Sequence, residues 1–322
     1  MGTLLVITGP TGVGKTELTL RLAETFGCPI VSADSRQIYK EIPIGTAAPT
    51  AAEQARVKHY FVGTKSVTEE YSAGAYEREC LTLLRELGER RKVKGEREPF
   101  AILTGGSMMY IDAVCKGFDD IPAVKKEVRE SVRQAYAEKG LEWLQGEVER
   151  LDKTYWEIVD RQNPQRLIHC LEVTLSAGEP YSNFRQQGNK LGETLTQPIS
   201  KRDFGIVKVA LTRPREELYD RINQRVDAMI EAGLEEEARA VYPLRHLNSL
   251  QTVGYREMFD YFDGKTSREE AIRLIKQNSR HYAKRQMTWF RADPTIHWLD
   301  AKEDYEEQMD YISDWLRACS MQ

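Results

Sequence analysis

Short apolar runs alternate with amphipathic stretches along most of this 322-residue chain. That is the pattern of a parallel sheet whose strands are buried on both faces and joined by helices. TLLVIT at 3–8, PIVSA at 29–33, FAILTG at 100–105 and GIVKVAL at 205–211 read as buried strands, and TIHWL at 295–299 as a weaker one. From Lys116 to about Ser200 the strand pattern stops, and charged helical segments such as AVKKEVRESVRQAYAEKG and NPQRLIHCLEVTLSAG take over. The expected organisation is an α/β core beginning with 1–115, a helical insertion over 116–200, and the remainder of the core over 201–322. That remainder carries two amphipathic helices, REELYDRINQRVDAMIEAG and SREEAIRLIKQNSRHYAKRQMTWFR, with VGYREMFDYFDG between them.

Composition leaves this picture standing. Hydrophobic residues at 41% and charged residues at 30% describe a globular chain rather than a disordered one. No apolar run approaches the roughly 18 residues of a membrane span, and MGTLLVITG has neither the basic start nor the cleavage site of a signal peptide. Five cysteines without a C-x-x-C pair argue against a disulfide framework and a structural zinc. A reducing cytoplasm is expected, with no membrane association and no obligate protein partner, the chain acting as a monomer.

Charge changes more. The net charge of -4 speaks against nucleic acid, but its distribution does not. Between Lys265 and Arg291 eight basic residues face two acids, and from Ala292 to the end eight acids face two basic residues. Arg273, Lys276, Arg280 and Lys284 recur at helical spacing, interleaved with Ile272, Ile275, Tyr282 and Trp289, so this helix is a candidate phosphate-tracking surface.

GPTGVGKT at 9–16 matches G-x-x-x-x-G-K-[ST] in full and stands between a strand and a helix. Its glycines let backbone N–H groups wrap phosphate oxygens, Lys15 reaches the terminal phosphate, and the Thr16 hydroxyl can meet Mg2+. The fold class that follows is α/β, a P-loop NTPase-like parallel sheet flanked by helices, with a helical insertion domain. An ATPase would normally carry a metal-holding carboxylate at the end of a second strand. FAILTGGS ends instead in Thr104, Gly105 and Gly106, whereas the strand after the loop ends in Asp34. A carboxylate there can take a proton from a nucleophile or simply form a turn.

Eight collinear segments between about residues 3 and 300 resemble the tRNA dimethylallyltransferase family: GPTGVGKT, DSRQIY, IGTAAP, YSAGAY, TGGSMMY, NPQRLIHCLEV, VGYREM and RHYAKRQMTWFR. The chain departs from the family pattern at Ala48, Ser107 and His169, which stand where Lys, Thr and Arg are usual. The resemblance implies transfer of a dimethylallyl group from dimethylallyl diphosphate to the adenine beside the anticodon of tRNAs that read codons beginning with U. The loop Gly9, Pro10, Thr11, Gly12, Val13, Gly14, Lys15 and Thr16 would then hold the leaving diphosphate, with Mg2+ on Thr16. Asp34 would orient the amine, Ser107 would hold the adenine, and Arg221, ahead of its helical neighbour Arg225, would steady the diphosphate.

Ser35, Arg36 and Gln37 are expected to touch the extruded base or its phosphates, Gln37 through its amide and Arg36 through phosphate. Arg129, Gln165, Arg166, Leu167, Ile168 and His169 of the insertion, with Arg280 and Lys284, complete the expected tRNA contacts. Three other functions fit parts of the pattern: prenylation of free adenine nucleotides, phosphorylation of a small molecule, and RNA binding with a relict P-loop. The first two leave the insertion and the basic helix without a purpose, and the third leaves Lys15, Thr16 and Asp34 without one.

Overall fold

A computed structural model describes residues 2–94, 99–117, 121–122, 124–185 and 202–320. Residues 186–200 of the expected insertion lie outside the described residues. The chain forms two compact units, Met1–Cys115 together with Arg202–Gln322, and Lys116–Lys201.

The first unit is built on six parallel strands, β1 Thr3–Thr8, β2 Ile30–Ser32, β3 His59–Tyr60, β4 Ala101–Thr104, β5 Gly205–Thr212 and β6 Ile296–Asp300, in the order β3-β2-β4-β1-β5-β6. Strand β3 escapes a pattern search because two residues show no periodicity. β1 is buried at every position, so its alternate side chains feed two cores. Leu5 and Ile7 pack with helix α1 Lys15–Phe26, and Leu4 and Val6 with the residues of α4 Ala73–Lys94 and α5 Met108–Cys115. Between α1 and α4 lie two short helices, α2 Pro43–Thr46 and α3 Ala51–Arg56.

The second unit contains α6 Lys126–Leu151, α7 Lys153–Trp156, α8 Pro164–Ala177 and α9 Tyr181–Phe184. Gly140 breaks α6 with φ 76° and ψ -168°, a conformation that favours glycine. Val132, Leu144, Val148, Leu167, Ile168 and Leu171 form its own core.

The chain then returns to the first unit, where Arg202 is paired with Glu77 at 2.8 Å and donates to the carbonyls of Ala113 and Val114. After β5 come α10 Arg215–Glu231, α11 Leu234–Val241, α12 Tyr255–Phe262, α13 Arg268–Arg291 and, beyond β6, α14 Tyr305–Ser320. Val226, Leu234, Tyr255, Met258 and Ile275 from α10 to α13 enclose Ile38, Tyr39 and Ile42 in a third core. That core lies under the segment that follows Asp34. Among the described residues, no helix is long and apolar enough to cross a membrane.

Candidate active site

The loop from Gly9 to Gly14 enters α1 without a side-chain cap, because Gly14 occupies the N-cap position at φ 115°. The first N–H groups of that helix therefore point to where an anion would sit, with the helix dipole favouring it. Gly12 lies so close to α10 that a Cβ would stand 2.9 Å from Ile222 Cγ1. Lys15 donates to the carbonyls of Gly9 and Pro10, each at 2.9 Å. Burial pulls its ammonium down to about 7, the adjacent Arg225 acts in the same direction, and Asp34 opposes both. Thr16 is exposed at the head of the helix.

Helix α10 supplies more positive charge. Arg221 donates from Nε to Gly12 O at 2.8 Å, and Arg225 donates from Nη1 to Thr11 Oγ1 at 3.1 Å. Burial lowers the pKa of Arg225, and the Asp34 charge raises it. Arg225, ranked behind Arg221 from sequence, is thus the more deeply set of the two and senses both Asp34 and Lys15. Arg213, which sequence reasoning did not single out, reaches the loop from the end of β5 and donates to Val13 O at 3.4 Å. A basic residue just after a strand that neighbours the P-loop strand was the available signal.

Asp34 follows β2 and is half-buried. Its Oδ1 accepts from the backbone N–H groups of Arg36 at 2.9 Å and Gln37 at 3.2 Å, which shapes the turn. No hydrogen bond among the described residues reaches Oδ2. Ser107 Oγ accepts from Ser35 N at 2.8 Å and donates to Ser35 Oγ at 3.1 Å, tying the double-glycine segment to this turn. Tyr282 on α13 completes the wall, its phenol pushed up to about 12 by burial and by Asp34.

Several expected nucleic-acid contacts take other roles. Arg36 donates through Nη1 to the carbonyls of Asn248 and Ser249 at 3.1 and 3.0 Å, which anchors one arm of its guanidinium within the protein. Gln37 donates to Thr46 O and Ala47 O and accepts from Ser32, which commits both ends of the amide expected to read a base. Glu237 accepts from Ile44 N and Gly45 N at 2.8 Å at the other end of α2 and from Tyr255 Oη. IGTAAP and VGYREM therefore meet in space, and Gly45 is required because a Cβ would lie 2.4 Å from the Tyr255 hydroxyl.

On α13, Arg280 donates to Asn223 at 2.6 Å, Lys276 pairs with Asp227 at 2.6 Å, and Arg273 pairs with Glu270 at 2.7 Å. Of the expected row of four cations, Arg273 and Lys276 are paired with carboxylates, and Arg280 is held by a neutral amide of α10, which packs alongside. Lys284 and Arg285 remain exposed. Ile275 belongs to the third core, and Trp289 is exposed with its indole N–H donating to Asp112.

In the second unit, Leu167 and Ile168, expected as tRNA contacts, are buried at 0% and 5% exposure. They occupy the inward positions of α8, and their side chains cannot meet RNA. Gln165, Arg166 and His169 lie on the outward face, where Asn163 caps the helix through Arg166 N. Arg129 and Arg133 lie 4.0 and 3.4 Å from the buried Glu172 carboxylate.

Comparison with known proteins finds relatives over nearly the whole chain. A family model described as IPP transferase matches residues 37–293. A Porphyromonas gingivalis protein named tRNA dimethylallyltransferase 2 is 56% identical over 302 residues, covering 94% of this chain and 95% of the relative. A Bacteroides thetaiotaomicron protein named tRNA dimethylallyltransferase 1 is 52% identical over 306 residues, covering 95% of this chain and 94% of the relative. The crystal structure of a tRNA isopentenylpyrophosphate transferase from Bacillus halodurans superimposes with a TM-score of 0.69 at 32% identity, covering 100% of this chain and 99% of that one. A eukaryotic dimethylallyltransferase solved with tRNA shares the fold at 24% identity, with a TM-score of 0.76 over 98% of this chain and 80% of that one.

Proposed function

Because this chain belongs to the IPP transferase family, we propose that it transfers a dimethylallyl group from dimethylallyl diphosphate to an adenine in tRNA. The acceptor is the exocyclic amine of position 37, beside the anticodon, in tRNAs that read codons beginning with U. The observation that carries the reading is the convergence, within one unit, of an uncapped P-loop, the desolvated cations Lys15 and Arg225, and an Asp34 carboxylate close enough to act on both.

The chemistry follows from those charges. The amine nitrogen attacks the allylic C1, the C1–O bond breaks, and the departing diphosphate keeps the electron pair. Negative charge grows on the diphosphate, where the N–H groups of residues 12–16, Lys15, Arg221 and Arg225 lie preorganised to stabilise it. Asp34 uses Oδ1 to hold its turn, and Oδ2 accepts the hydrogen bond of the amine and then its proton as the nitrogen becomes cationic. Ser107 acts by holding Ser35 and the turn, rather than the adenine itself.

No group of three or more His, Cys, Asp or Glu side chains suited to a metal occurs among the described residues. The exposed Thr16 hydroxyl at the head of α1 is the oxygen donor that would hold a Mg2+ ion carried in on diphosphate. When bound, that ion supplies charge neutralisation for the leaving group. For tRNA, Lys284 and Arg285 of the first unit and Gln165, Arg166 and His169 of the second are the outward groups that support backbone contact, whereas Arg129 is half-buried beside Glu172.

Incubating the protein with dimethylallyl diphosphate and unmodified tRNA, and measuring the digested nucleosides by mass spectrometry, tests the reading. The expected result is one dimethylallyl group on the adenosine at position 37. Transfer to free adenine nucleotide in preference to tRNA, or no transfer at all, would overturn it.

A further inference from the structure

Gln286 lies on α13 at 1% exposure, in the middle of RHYAKRQMTWFR. Its side chain joins two segments far from it in sequence. Oε1 accepts from Thr11 N at 2.9 Å, inside the phosphate-holding loop. Nε2 donates to Gly106 O at 2.8 Å, and Tyr282, one turn earlier, donates to the same carbonyl at 3.1 Å.

Gly106 leads directly into Ser107, whose backbone N–H donates to Ala33 O at 3.2 Å and whose hydroxyl holds Ser35. The double glycine fits nothing larger: a Cβ on Gly105 would lie 2.3 Å from Ala33 O, and one on Gly106 would lie 2.4 Å from Gln286 Nε2. One side chain therefore spans from the diphosphate loop to the strap that fixes the Asp34 turn. Thr11 also meets Arg225 through its hydroxyl, so the same residue reports on the cation beside Lys15.

We propose that Gln286 is a positioning residue that sets the separation between the phosphate-holding loop and the Asp34 turn, and so the distance across which the amine meets the allylic carbon. The inference rests on the transferase reading above. A primary amide suits this place because it offers one acceptor and one donor on opposite sides of a single planar group, where Thr11 presents an N–H and Gly106 a carbonyl. Misplacing reacting groups by about 1 Å costs on the order of a hundredfold in rate. Release of the bridge lets loop and turn drift apart while each still binds its own substrate.

Two variants test this. Gln286→Met fills the same volume without either bond, and Gln286→Glu keeps the acceptor for Thr11 while presenting an oxygen to Gly106 O. Both are expected to lower single-turnover transfer by about 10- to 100-fold, with KM for tRNA and for dimethylallyl diphosphate within about threefold of wild type. The ratio of diphosphate released to groups transferred should also rise above one, as water attacks C1 in place of the misaligned amine, giving dimethylallyl alcohol and diphosphate. A kcat within about threefold of wild type, a rise in KM for the diphosphate at unchanged kcat, or a loss that tracks the folded fraction seen by circular dichroism would each overturn the positioning role. A wild-type protein that transfers nothing to tRNA would instead defeat the transferase reading, and this inference with it.

Discussion

The Asp34 carboxylate shapes its own turn through Oδ1, so Asp34→Asn keeps an acceptor oxygen and the local fold while removing the charge. Single-turnover transfer should fall by about a hundredfold to ten-thousandfold, the usual share of a positioned base, with binding of both substrates nearly unchanged. Quench-flow with labelled dimethylallyl diphosphate measures it, and an unchanged rate would remove Asp34 from the chemistry. Lys15 carries a second expectation. In the free protein it titrates at about 7, because burial and Arg225 outweigh Asp34, and a bound diphosphate restores its charge. Above pH 7 binding must then take up a proton, approaching one per diphosphate at pH 8 and little at pH 6, and affinity weakens as pH rises. Calorimetry in buffers of different ionisation enthalpy counts that proton, and the uptake should vanish in Lys15→Met. The same depression works on folding: between pH 7 and the unfolded value of 10.5 the unfolded chain binds more protons, so stability from this group rises with pH.

Helix α13 was legible as a basic amphipathic helix, but its partners were not. Arg280 and Lys276 look like phosphate contacts in a helical projection, and α10 answers them with Asn223 and Asp227. If tRNA phosphates meet this helix, Lys284 and Arg285 are the cations that release counterions. The Lys284→Ala, Arg285→Ala double variant should flatten the slope of log affinity against log salt by about 1 to 2 units. Lys276→Ala, whose ammonium is already paired, should leave that slope unaltered. Filter binding across a salt series decides, and equal slopes for wild type and the double variant would remove α13 from the backbone contacts. Helix α1 gives the opposite lesson. Its glycine entry and missing side-chain cap follow from GPTGVGKT alone, because a loop that must bend around an anion needs glycine at positive φ.

At the scale of the whole molecule, the chain places the groups proposed to hold diphosphate in the first unit and a set of outward polar residues in the second. Arg166→Ala, on the exposed face of α8, should therefore weaken tRNA binding with no change in dimethylallyl diphosphate affinity. A gel-shift titration beside a diphosphate-binding isotherm separates the two, and equal losses in both would place Arg166 in the fold instead. Five of the six strands, the P-loop and the strand-end Asp34 were all visible in the sequence. Each depends on local rules: two-residue alternation, continuous apolar runs and glycine at fixed spacing. What tertiary structure decided was how each polar side chain is used. Arg36 and Gln37 hold backbone carbonyls, Leu167 and Ile168 turn inward, Arg225 rather than Arg221 is the more deeply set cation, and Gln286 joins two segments about 180 and 275 positions away. Sequence fixes which groups a residue carries. A donor finds its acceptor only when distant backbone is brought within about 3 Å, and that distance is a property of the folded chain.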